Sequence, residues 1–122
     1  MKDRPGALDE LTEMLRVLAT DQRMEADPAH EDFYAWGWVL GDLTYRLSEV
    51  CSTLAQQVER YGDRRILRDD QGGDPADRLV AMRELLSRLA GELRQAEATA
   101  RAYHNEASHI GVEVDPNTAT EP

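Results

Sequence analysis

Apolar residues recur along this chain at alternating three- and four-residue steps, the period of a helix with one buried stripe. The first series is Leu8, Leu11, Leu15 and Leu18, flanked by Met14 and Val17. It predicts a helix over about 8–26. Asp27-Pro28 ends it, because proline disfavours helical geometry in the residue before it. The second series runs Trp36, Leu40, Leu43, Leu47, Val50, Leu54, Val58, Tyr61 and predicts a helix over about 31–62. The third runs Leu79, Met82, Leu86, Leu89, Leu93, Ala96, Ala100, Tyr103, Ala107, Ile110, a coiled-coil-like repeat predicting a helix over about 75–110.

The punctuation between the blocks agrees. Gly72-Gly73 supplies a turn, Asp74 an N-cap with Pro75 in the first helical turn, and Gly111 a stop. No stretch alternates with the period of a strand. The expected fold class is therefore all-α, a three-helix bundle made of a long antiparallel hairpin and a shorter N-terminal helix. Residues 1–114 form one helical domain, and 115–122, with two prolines and no periodicity, form a flexible tail.

The two long stripes share one antiparallel register, in which Leu40 meets Ala100, Leu47 meets Leu93, Leu54 meets Leu86, Val58 meets Met82 and Tyr61 meets Leu79. Bulky Trp36 then lies against Ala96, Ala98, Ala100 and Ala102. Thirty helical residues extend about 45 Å and the first helix only about 28 Å, so helix one is expected to cover only the Trp36 end. The other end keeps more apolar surface than one helix pair can bury, which marks an interface. The expectation is a homodimer through Val50, Leu54, Val58, Met82, Leu85, Leu86 and Leu89.

Composition narrows the function. The 122 residues suit one domain. A net charge of −10 repels a phosphate backbone, so no direct nucleic-acid binding is expected, while basic partners are favoured. Acidic Asp3, Asp9, Glu10 and Glu13 stand where a signal peptide would be apolar, and no run is long enough to span a bilayer. A cytoplasmic protein with no membrane partner is the expectation. The single cysteine, Cys51, sits beside Val50 and Leu54 and reads as a small core residue.

Candidate chemistry is sparse. His104, Glu106 and His109 invite a metal reading, but two histidines five apart are separated by about 140° around a helix, and a di-iron bundle needs a second Glu-x-x-His step that is absent. They read as polar residues on a solvated face or capping the helix end. Asp69, Asp70 and Asp74 resemble a calcium loop only faintly: Gln71 and Gly73 stand at ligand positions and Val80 where the bidentate glutamate belongs. No metal, cofactor or catalytic residue is assigned.

Two less generic features remain. Tyr34, Trp38 and Tyr45 form a second stripe on the aromatic end of helix two, where Gly37 and Gly41 lie four apart. Arg60, Arg64, Arg65 and Arg68 form the one basic patch, near apolar Ile66 and Leu67. These seven residues are the candidate contacts for an unidentified protein partner.

The segments Tyr34-Ala-Trp36-Gly-Trp38, Arg64 through Pro75 and Tyr103 through Val114 together resemble small uncharacterised helical proteins of actinobacteria, over most of the chain. The resemblance implies a helical fold and no activity. Secreted helical hairpins with a Trp-x-Gly turn differ: here Trp36 is followed directly by Gly37, both lie in a helical pattern, and Ala107 stands where their terminal acid would be. The functional expectation is a non-catalytic protein–protein interaction module, a dimeric adaptor or regulator and not an enzyme. Its alternative is an acidic mimic of nucleic acid that inhibits a DNA- or RNA-binding protein.

Overall fold

The computed structural model describes residues 4–113, so the expected tail at 115–122 lies outside the described residues. Three helices follow in order: α1 (Arg4–Met24), α2 (His30–Tyr61) and α3 (Pro75–Ser108), with a single 3-10 turn at Gly62–Arg64 after α2. The architecture is all-α, a long α2–α3 hairpin preceded by a shorter helix.

Local chemistry sets the boundaries. Ala29 cannot cap α2 with its own side chain, so the Asp32 carboxylate reaches back and accepts its backbone N–H at 3.1 Å. Asp74 caps α3 by accepting from the Ala76 N–H at 2.9 Å, and Pro75 begins the first turn without losing a bond. The loop turns where Gly72, at φ +83°, donates its N–H to the Asp69 carbonyl at 3.0 Å. That left-handed backbone favours glycine. At the other end, α3 finishes two residues before Ile110, with His109 N–H bonded to the Glu106 carbonyl.

The seam between α2 and α3 is made of small residues. Gly37, Gly41, Ser48, Cys51 and Ala55 are buried on α2, and Ala90, Ala100 and Ala107 on α3. Small side chains let two backbones approach closely, so the seam gains dispersion contacts along its length. Gly37 faces His104, Gly41 faces Arg101, and Glu59 bonds Arg83 across the pair at 3.2 Å. This register is the expected antiparallel one displaced by one to two residues toward the C-terminus of α3. The leucine stripes lie beside the seam rather than within it, which corrects the direct facing of Leu40 with Ala100 or Leu54 with Leu86.

A second correction concerns α1. Among the described residues α2 and α3 pack extensively on each other, whereas α1 has no comparable packing on either. The Trp36 Nε1–H donates to Gln22 Oε1 at 3.1 Å, fixing the corner. Asp27 N–H bonds the Glu25 carboxylate within the connection, at 3.1 Å. Beyond that corner the α1 stripe stays exposed, Leu8 and Met14 at 62% each, so α1 does not cover the Trp36 end.

Candidate interaction surface

Three surfaces run along the hairpin. At about 100° per residue, Leu40, Leu47, Leu54 and Val58 lie on one side of the α2 seam, while Tyr34, Trp38 and Tyr45 lie on the other. The leucine side joins the matching side of α3 into one apolar face. Near the tip, Leu54, Val58, Tyr61, Leu79 and Met82 line an open groove of about 340 Å³. Of the expected dimer residues, Val50, Leu54, Met82, Leu85 and Leu89 are exposed, Leu85 at 62%, whereas Val58 and Leu86 are half-buried against the seam.

The opposite side near the tip is polar. Ser52, Gln56, Glu59, Arg83, Ser87 and Arg94 surround a shallow groove floored by Ala55 and Ala90. The hairpin is therefore amphipathic as a unit there, with leucines on one face and serines, charges and amides on the other.

The aromatic end is mixed. The Tyr34 ring tilts against the His104 imidazole, centroids 4.5 Å apart, and Tyr34, Trp38 and Tyr45 are all exposed, Trp38 at 55%. Arg46 carries its guanidinium 5.6 Å from the Tyr45 ring. His104 is half-buried beside Gly37 instead of standing on a solvated face, and its Nδ1 has no hydrogen-bond partner. Pro28, Phe33, Tyr103, Ala107 and Ile110 line an apolar hollow at the open end, with His30 and Glu106 on its rim. Tyr103 helps close this end by donating its hydroxyl to the Phe33 carbonyl at 2.9 Å.

At the tip the four arginines do not converge on one ligand position. Arg65 stacks 4.4 Å over the Tyr61 ring and donates to the Tyr61 carbonyl. Arg60, Arg64 and Arg68 are exposed, and none of the four joins an ion pair among the described residues. Asp69, part of the faint calcium pattern, instead organises the loop. Its Oδ1 accepts from Gln71 N–H at 2.9 Å and its Oδ2 from Arg78 Nε at 3.0 Å. The Gln71 amide first, and the Arg78 guanidinium second, hold its carboxyl below the ordinary range.

Among the described residues no three His, Cys, Asp or Glu side chains come together as a metal cage, and Cys51 is buried in the seam. Glu13 is held below its ordinary range by its hydrogen bond to Arg16, on the exposed surface of α1. No described helix is long and apolar enough to cross a membrane.

The exposed leucine face of the hairpin is the candidate site. Sequence periodicity found its residues but assigned many of them to the seam. Gly37 and Gly41, four apart, were the signal that could have located the true seam. No family model, curated protein or solved structure matches the chain.

Proposed function

We propose that the protein is a non-catalytic interaction module that self-associates through its leucine face and presents the aromatic flank and arginine tip to a further protein. One observation carries the reading: the apolar residues of α2 and α3 form a continuous face that the chain itself leaves uncovered. Val50, Leu54, Met82, Leu85 and Leu89 are all exposed on it. At about 25 cal/mol per Å² of apolar area, leaving such a face in water forgoes many kcal/mol that a partner recovers.

A second copy is a suitable partner because amphipathic hairpins bury such faces as four-helix bundles. Tyr34, Trp38 and Tyr45 point away from that bundle and remain available, with Arg60, Arg64, Arg65 and Arg68 at its ends. Large aromatic and arginine side chains are the usual anchors of protein contacts. The nucleic-acid-mimic reading has less support: many acids along the helices pair with neighbouring arginines, as in Glu13–Arg16, Asp42–Arg46–Glu49 and Glu97–Arg101, rather than forming an unbroken acidic row.

The test is light scattering during size-exclusion chromatography on the wild type and Leu89→Glu. The expected result is a dimer for the wild type and a folded monomer for the variant. Circular dichroism checks the helical content of each. A monomeric wild type at tens of micromolar overturns self-association.

A further inference from the structure

On the polar side of the hairpin, we infer that the groove between α2 and α3 binds a phosphate group, either free or carried by a small molecule. This site is independent of self-association, which uses the opposite side. The groove encloses about 330 Å³, and Ser52 and Gln56 of α2 stand across it from Arg83, Ser87 and Arg94 of α3. Ala55 and Ala90, both buried, form its floor.

The donors lining this groove are unspent. A hydroxyl on a helix commonly donates to a carbonyl one turn back, as Thr44 does to Leu40 at 2.8 Å, Ser48 to Tyr45 at 2.6 Å and Thr99 to Gln95 at 3.2 Å. Ser52 and Ser87 make no such bond among the described residues, although Ser52 is half-buried. Arg94 joins no ion pair there either, unlike Arg88 and Arg101 on the same helix. Two hydroxyls from facing helices and one unengaged guanidinium therefore line a single groove.

Helix rise places these groups around one position. Gly37 faces His104 and Glu59 bonds Arg83, so equal steps from the two pairs put Ser52 level with residues 89–90. Ser87 then lies about 4 Å nearer the tip. Arg94 stands about 7 Å from the level of Ser52 toward the open end, and Arg83 about 6 Å from the level of Ser87 toward the tip. An arginine side chain covers such distances, so an anion between the two hydroxyls is bracketed by two guanidinium groups. Arginine matches phosphate oxygens with paired N–H donors, and each hydroxyl adds one more.

Local charge agrees. Glu59 is the one acid lining the groove, and Arg83 holds its carboxylate through Nη1 at 3.2 Å, which leaves the other nitrogens of that guanidinium free. Two arginines against one glutamate give the groove a positive balance within a chain of net charge −10. A single phosphate suits that balance.

The test is an NMR titration of the isotope-labelled full chain at about pH 7.5, where a phosphate monoester is largely doubly charged. Inorganic phosphate and phenyl phosphate are the probes, with sodium chloride and sodium acetate at matched ionic strength as controls. The Ser52, Ser87 and Ala90 amides should shift saturably with the phosphates and not with the controls. Tighter binding of phenyl phosphate assigns a phosphate monoester; equal or weaker binding assigns free phosphate. Arg94→Gln should weaken binding about tenfold, the usual worth of a hydrogen bond to a charged group. The double variant Ser52→Ala, Ser87→Ala should weaken it about fivefold, with helical content by circular dichroism and mass by light scattering unchanged. Arg88→Gln, which removes an exposed arginine paired with Glu92 outside the groove, should leave binding as it is. Shifts that never saturate, that chloride or acetate reproduces, or that weaken as much with Arg88→Gln as with Arg94→Gln overturn the site, whatever the oligomeric state.

Discussion

The two sides of the hairpin near its tip share one backbone framework and differ in what they show to water. On one side Leu54, Val58, Leu79 and Met82 line an apolar groove. On the other, Ser52, Gln56, Glu59, Arg83 and Ser87 line a polar one. Both flank the same seam of small residues, so the seam sets how close the helices come, and the flanks decide what each side can bind. Burial within the chain and burial against a partner are thus assigned to different residues of the same helices.

A single charge placed on each side tests that assignment, and it has the largest expected effect. Leu89→Glu puts a carboxylate into the apolar face of each copy, and burying an unpaired charge costs several kcal/mol. We expect at least a 1,000-fold weaker dimer by sedimentation equilibrium. Ser87→Glu, on the polar side beside Arg83 and Arg94, should leave the dimer within about threefold of wild type, since exposed ion pairs contribute about 0.2–1 kcal/mol. Equal loss in both variants would erase the distinction between the sides.

The seam comes next in size. A Cβ added to Gly37 would sit 2.9 Å from the His104 Cα, and backbone cannot swing aside as a side chain can. Gly37→Ala should push α2 and α3 apart at the aromatic end and destabilise the fold by about 1–3 kcal/mol in urea unfolding, the cost typical of overpacking. No loss would mean that the helices are less closely packed there than the seam requires.

The connecting loop depends on one ionised side chain. Asp69 is held below its ordinary range, so by linkage its contribution is present above the unfolded value, about 3.9. It is lost as pH falls through the lower folded value. The Gln71 amide resonance should therefore keep its folded position through pH 4 and shift only under stronger acid. Asp69→Asn should shift it at neutral pH while the resonances of Ser48 and Ala90, in the seam, stay in place.

Much of this fold was legible in the sequence because its signals were local. Asp74-Pro75 marked the start of α3, Gly72-Gly73 the turn, and the leucine stripes gave helices whose ends agree within a few residues. The antiparallel register was right to within two residues because it depends only on helix rise. The seam was not legible from hydrophobicity, since Leu40, Leu47 and Leu54 outweigh Gly41, Ser48 and Ala55 on any apolar scale although both series recur at helical spacing. The placement of α1 was not legible either. Its stripe says that one side avoids water without saying whose surface covers it.

Gly41 sharpens the contrast with Gly37 by the smallest and oppositely signed effect. A Cβ there would meet the Arg101 guanidinium at 2.7 Å, the far end of a flexible and largely exposed side chain, and no backbone. Arg101 can move outward, giving up its exposed pair with Glu97, worth about 0.3–0.5 kcal/mol for an i,i+4 contact. Against that, replacing glycine by alanine inside a helix gains about 1 kcal/mol from backbone entropy. Gly41→Ala should therefore stabilise the hairpin by roughly 0.5 kcal/mol in the same urea experiment, where Gly37→Ala destabilises it. If both substitutions destabilise equally, the limit at Gly41 is the approach of the α3 backbone and not its arginine, and the close seam extends further toward the tip than the Gly37–His104 contact alone shows.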